Sequence, residues 1–333
     1  MLELSRGAAN AVGVCMGVRR DEKVLVITGD AREHIGHAIA EECELREARV
    51  TVLRIEDFIK RPALALPDAM LERVDELSPD VSFYVAAAEE GELGPFRRPL
   101  INHLVYDLKT RHGHMVNIDD RCMAEGMSAD YEEIARLTAR VNEIVREARV
   151  IEAQAPSGTD LRATLDPSRL RWHPCPGIYH RPGEMGNLPE GETFTSPASL
   201  DGVLGGEVLG DHFSEKYGVL TTPIRLEVAA GRVRRVAHPD DAIREDMEKY
   251  LAQHENSNRA GEFAIGTNVA LKELSGNLLQ DEKIPGVHVA FGYPYPEETG
   301  ADWDCPSHCD VVATRSTIKV DGEYLMRDGE FVI

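Results

Sequence analysis

No stretch of the chain approaches the roughly 18 consecutive apolar residues that a membrane-spanning helix needs, so the sequence argues against a transmembrane segment. Its opening, MLELSRGAANAVGVCMGV, has neither the basic start nor the sustained apolar run of a secretion signal. Positive charge is also scarce. Lysine and arginine number 37 against 58 aspartates and glutamates, a net charge of −21. That balance argues against a nucleic-acid or anionic-membrane partner. The Gly-x-Gly-x-x-Gly fingerprint and the Walker A pattern are both missing, which leaves no sequence case for a dinucleotide or nucleotide site. The six cysteines (Cys15, Cys43, Cys122, Cys175, Cys305, Cys309) are scattered rather than patterned. They read as reduced thiols of a cytoplasmic protein, not as a disulfide framework. There is no internal repeat and no low-complexity tract.

What remains is an ordinary globular composition, 42% hydrophobic and 29% charged over 333 residues, enough for one large or two smaller domains. The first half alternates strand-like and helix-like patterns. Lys23 to Thr28, Arg49 to Ile55, Val81 to Ala87 and Met115 to Ile118 read as strands. Between and after them lie helical stretches, notably Tyr131 to Ala148, where Ile134, Leu137, Val141, Ile144 and Val145 make one apolar face. The expected fold of this half is α/β with a largely parallel sheet. Past a further strand, Arg149 to Gln154, the texture changes to a Pro- and Gly-rich passage and then to strands with hairpin signals. One helix interrupts them, Asp240 to His254, with Asp240 or Asp241 as its cap. The expectation is an α/β domain over 1–155 and a strand-rich α+β domain over 156–333.

The chemistry concentrates in the second half. Between Gly261 and Asp310 lie Glu262, Asp281, Glu282, His288, Tyr295, His308 and Asp310. These are oxygen and nitrogen donors of the kind that borderline divalent ions accept. On a strand, residues two apart share a face, so His308 and Asp310 can converge. In VHVAF the apolar Val287, Val289 and Phe291 turn His288 to the other side, and Glu262 stands likewise opposite Phe263 and Ile265. Blander readings cover several neighbours. Cys305 and Cys309 lack the second Cys/His pair of a structural zinc site and read as buried small residues. Trp303 reads as packing, Asp119-Asp120 as a cap or turn, and His34 and His37 as a solvated helix face. His173 and His180 could line a pocket mouth.

Taken together, GEFAIGTN, GNLLQDEK, HVAFGYPY and SHCD, with the upstream GTDL and NLPEGETFT, resemble the aminopeptidase T/aminopeptidase S family of thermophilic-type metallo-aminopeptidases. The resemblance covers about residues 155 to 333. It implies metal ligation by Glu192, Glu262, His288, Tyr295, His308 and Asp310, and by Glu282, which stands one residue further from His288 than in the family. It also implies a homodimer acting on small peptides or amides. Seven donors exceed what one tetrahedral zinc needs, so two divalent ions (Zn, Co or Mn) are expected. Glu262 would bridge them, Glu192 or Glu262 would act as base, and Tyr295 would ligate or steady an oxyanion. The chain departs from the family in the short GADWDCP link before SHCD. A related branch contains iron-dependent dioxygenases of the dihydroxypyridine type, whose single Fe(II) would need only His288, His308 and Asp310. The presence of Glu192 and Glu262 tilts the expectation towards the hydrolase.

Overall fold

The computed structural model describes residues 2–210 and 212–333. These divide into two compact units. One comprises residues 1–133 and 177–190, the other 134–176 and 191–333.

In the first unit five parallel strands lie in the order Arg49–Arg54, Lys23–Thr28, Val81–Val85, Arg111–His114, Met185–Asn187. The two central apolar strands are buried along almost their whole length, as parallel strands covered on both faces should be. The α/β reading of this half therefore holds. The fourth strand is not at Met115–Ile118, as hydropathy suggests, but four residues earlier, in the polar RHGH. Sheet contacts satisfy its side chains: Ser82 Oγ stands 2.8 Å from His112 Nδ1, and His114 stacks on Tyr84. His34 and His37 also gain carboxylate partners, Asp120 and Glu33. Asp119 caps the short helix Asp120–Ala124 by accepting from the Cys122 N–H.

The second unit contains two antiparallel sheets. The larger has eight strands, running from Arg232–Ala237 at one edge through Ser199–Gly206 and Val150–Gln154 to Glu330–Phe331. The smaller has six, in the order Val208–Leu209, His308–Thr314, Gly286–Gly292, Ala260–Gly266, Glu192–Thr195, His173–Cys175. Both contribute to one core. It takes Phe263, Ile265, Val287, Val289, Phe291 and Val311 from the smaller sheet and Ile151, Leu161, Leu204 and Leu226 from the larger. Val141 and Val145 of the helix Tyr131–Val145 join the same core. That packing is why the second unit begins near residue 134 rather than at the expected 155. The helix Asp241–Leu251 is capped by Asp240, whose side chain accepts from the Ala242 N–H. Among the described residues, no helix is long and apolar enough to cross a membrane.

Candidate metal centre

With alternate residues of the six-stranded sheet committed to the core, the intervening ones must share the other face. Register then lines them up. Ala264 sits opposite both Phe194 and His288, Ala290 opposite both Glu262 and Asp310, and Gly266 opposite Glu192. Small side chains thus alternate with the ionisable ones, so the long groups can lean over Ala264 and Ala290 and meet.

Glu262 owes its orientation to an irregularity. Ala260 pairs with Phe291 and lies in the core, yet Glu262, two residues on, pairs with Ala290 on the opposite face. The extra residue is Gly261, a β-bulge that reverses the alternation. A side chain there would lie 2.1 Å from the Gly292 carbonyl oxygen, so the bulge requires glycine.

The donor atoms converge. His288 Nε2 lies 3.4 Å from Glu192 Oε2, 3.5 Å from Glu262 Oε1 and 3.9 Å from Asp310 Oδ1. His308 Nε2 lies 3.4 Å from Glu262 Oε2 and 3.5 Å from Asp310 Oδ1. The other ring nitrogen of His308, Nδ1, stands 3.1 Å from the Tyr293 carbonyl oxygen. A carbonyl only accepts, so Nδ1 carries a proton, and Nε2 is the nitrogen that faces the two carboxylates, as a lone pair for a metal ion or otherwise as a second N–H. The Tyr250 hydroxyl holds the same residue from behind, donating to the His308 carbonyl at 3.0 Å and accepting its N–H at 3.1 Å.

This arrangement suits a metal ion. Donors bound at about 2.0–2.2 Å around a tetrahedron stand about 3.3–3.6 Å apart, and four of the five imidazole–carboxylate separations are 3.4 or 3.5 Å. Glu192 Oε2 is buried without a hydrogen-bond partner, an orphan that a cation would satisfy. The protonation balance reflects the same crowding. Burial opposes charge on His288, but Glu262, Glu192 and Asp310 outweigh it and raise its pKa to about 9. Burial likewise opposes charge on His308, and Asp310, Glu262 and the Tyr293 carbonyl together raise it to about 10. Asp310 is held at about 2 against burial, chiefly by His308. A positive charge is wanted where these groups meet, and a proton or a metal ion can supply it.

Glu282 stands on the rim of this group within reach of His288 and Asp310. Burial, with Asp310 and Glu192 nearby, raises its pKa to about 7 although Lys283 opposes the shift. Tyr295 packs its ring edge-on to His308 at 5.2 Å and against Phe194 and Tyr293 at 5.2 and 5.0 Å. Burial and then the surrounding carboxylates push its phenol well above the usual value, so it keeps its proton. Asp281 stands apart in role, tied up by the Ser275 and Gly276 N–H groups. Cys309 faces the core, and Trp303 stacks under the Arg259 guanidinium. His173 lies against Phe194 at 5.3 Å, lining the aromatic side of the centre.

Sequence reasoning passed over one residue. Lys283 Nζ lies 2.6 Å from Glu192 Oε1 and 2.7 Å from Glu282 Oε1, with its side chain only 1% exposed. In QDEK a lysine beside a glutamate reads as a solvated turn. The apolar residues that follow it, Ile284 and Pro285, are the available hint of burial.

A sheet face that gathers buried carboxylates and imidazoles into overlapping groups, each able to hold a metal ion, is the make-up expected of a metal-dependent enzyme. Residues 116–326 match the thermophilic metalloprotease (M29) family, and the chain belongs to it. The fold is similar to that of 2,5-dihydroxypyridine dioxygenase from Pseudomonas putida KT2440, with a TM-score of 0.70 and 17% identity over 99% of this chain and 96% of that one. It is equally similar to that of AmpT from Thermus thermophilus, with a TM-score of 0.69 and 16% identity over 100% of this chain and 99% of that one. No curated protein sequence matches the chain.

Proposed function

We propose that the chain is a metal-dependent aminopeptidase that removes the amino-terminal residue of small peptides. The observation that carries this reading is Glu262, whose two oxygens face the Nε2 atoms of His288 and His308 at 3.5 and 3.4 Å. Glu262, His308 and Asp310, or Glu192, Glu262 and His288, would hold a divalent ion such as Zn²⁺, Co²⁺ or Mn²⁺. When bound, such an ion would acidify a water and polarise a carbonyl.

The protein's own groups supply the rest. A carboxylate, Glu192 or Glu262, takes the proton of the attacking water. Tyr295, with its phenol kept protonated, donates to the oxygen that gains charge in the transition state. Phe194, Tyr293 and Tyr295 form an aromatic wall beside His308 that suits the side chain of a substrate's first residue. The two-ion form of this reading, suggested by the donor count, would draw on Glu192 and Glu282, and the resemblance that suggests it also suggests a homodimer.

A second reading, an Fe(II) ring-cleaving dioxygenase, is favoured by one observation. Lys283 engages Glu192 and Glu282, which leaves His288 and His308 with Glu262 and Asp310, one carboxylate more than the two-imidazole, one-carboxylate set of such iron sites. One pair of assays separates the two. Protein reloaded with Zn²⁺, Co²⁺ or Mn²⁺ should release product from aminoacyl p-nitroanilides and consume no oxygen. Oxygen uptake with 2,5-dihydroxypyridine in the Fe(II) form, without peptide hydrolysis in any form, would reverse the assignment.

A further inference from the structure

We propose that Lys283 is a built-in second cation of this centre, so that each chain holds one divalent ion and not two. The inference rests on the metal-enzyme reading of the site and specifies how the centre is charged.

Two observations carry it. The first is where the ammonium lies. Its Nζ sits between Glu192 Oε1 and Glu282 Oε1, at 2.6 and 2.7 Å. Those carboxylates are the ones a second ion would have to claim: beside the group Glu262, His308 and Asp310, the groups that could hold an ion at His288 include either Glu192 or Glu282. A buried ammonium takes one oxygen of each and, standing beside Glu192 Oε2, repels a dication that this second oxygen would bind.

The second observation is how the backbone places it. Lys283 follows the short helix Leu278–Asp281. Its N–H donates to the Gln280 carbonyl, and its own carbonyl accepts the Asn268 N–H at 3.0 Å. This turn lies directly on Gly266, where a Cβ would stand 2.1 Å from the Ile284 oxygen and 2.8 Å from the Lys283 carbonyl carbon. Gly266 is also the residue paired with Glu192. Only a residue without a side chain lets the lysine-bearing turn close over the strand beside Glu192. The lysine is therefore fixed to that spot from both its backbone and its ammonium.

Charge counting agrees. With carboxylates ionised and imidazoles neutral, Glu192, Glu262, Glu282 and Asp310 face one ammonium. One divalent ion then leaves the centre with one unit of negative charge, which suits the ammonium of a peptide's amino terminus. Two divalent ions would leave it positive and repel that group. Lys283 also gives Glu192 and Glu282 a counter-charge at a one-ion centre. It touches carboxylates and not a reacting atom, so it is a positioning residue.

The test is a metal count on the full chain. Protein stripped with chelator and titrated with Co²⁺ or Mn²⁺ should bind one equivalent tightly. Mn²⁺ should then give the spectrum of an isolated ion rather than a spin-coupled pair. In Lys283→Gln the freed carboxylates should admit a second equivalent, with its affinity raised at least tenfold, while Lys283→Arg should keep the count at one. Two equally tight equivalents in the wild-type chain would overturn the inference and leave the metal-enzyme reading standing. A count that stays at one in a folded Lys283→Gln would overturn it too. No tight ion in the wild type would remove both. The wild-type count decides the matter even if the glutamine variant does not fold.

Discussion

The imidazole of His308 donates through Nδ1 to the Tyr293 carbonyl at 3.1 Å, and this bond turns the opposite nitrogen towards Glu262 and Asp310. The backbone of His308 is fixed in turn by Tyr250, whose hydroxyl bonds both its N–H and its carbonyl. A ring oriented by its remote nitrogen and a backbone held at both polar atoms would make a pre-set ligand for a metal ion.

Tyr250→Phe should accordingly weaken metal binding without removing a donor. Loss of the hydroxyl leaves two backbone groups of His308 without their partner, at a cost of about 1–3 kcal/mol in stability. Metal affinity should fall about tenfold or more. Urea denaturation and a competitive chelator titration measure the two effects, and a variant unchanged in both would refute the clamp.

Ala290→Val tests the floor of the site. Ala290 lies between Glu262 and Asp310 on the face away from the core, so added methyl groups intrude on the donors, not on Phe291 or Val289. The expected result is a chain destabilised by no more than about 1–3 kcal/mol that binds metal far more weakly. Retention of wild-type metal affinity would mean that the donors do not meet above Ala290.

Metal uptake should release protons. In chelator-treated protein His288 and His308, raised to about 9 and about 10, are protonated at neutral pH. A metal must displace those protons, so its apparent affinity should rise as pH rises from 6 to 9. For the metal-free chain the sign is opposite. The stabilisation gained from these raised values is complete below the unfolded value near 6.5 and is lost as pH climbs through about 9 to 10. Calorimetry in buffers of different ionisation heat gives the proton count, and a count of zero would contradict the raised values.

Acid should act on the first unit through His112. Burial lowers its pKa to about 3, so the folded state keeps it neutral while the unfolded chain takes up a proton below about 6.5. Stability should therefore fall with acidification, by about 2 kcal/mol between pH 8 and pH 5 from this residue alone. His112→Gln should show a smaller loss over the same range. An equal loss in variant and wild type would place the acid sensitivity elsewhere.

Much of this centre is visible in the sequence because strand alternation separates its residues from the core. His288 among Val287, Val289 and Phe291, and His308 with Asp310 around Cys309, are placed by period two alone. Glu262 is a partial exception. Its local facing opposite Phe263 and Ile265 is legible, but the reversal at Gly261 depends on pairing with the next strand. Lys283 could not be read, since only the close approach of its turn to Gly266 makes it a buried charge. In the first unit, Arg111–His114 escaped notice because its polar side chains find partners, Glu22 for Arg111 and Ser82 for His112. Met185–Asn187 is three residues long and adds to the sheet after some seventy intervening residues, too short for hydropathy to mark. The unit boundary moved because the helix Tyr131–Val145, which looks like the last piece of an α/β half, buries its apolar face in the other core.

The most direct measurement is the metal content and aminoacyl p-nitroanilide hydrolysis of Glu262→Gln and His308→Ala beside the wild-type chain. Each variant should keep the wild-type far-ultraviolet circular dichroism, bind the ion at least about a hundredfold more weakly and lose hydrolysis. Folded variants that retain the metal and hydrolyse at the wild-type rate would contradict a centre built from these side chains.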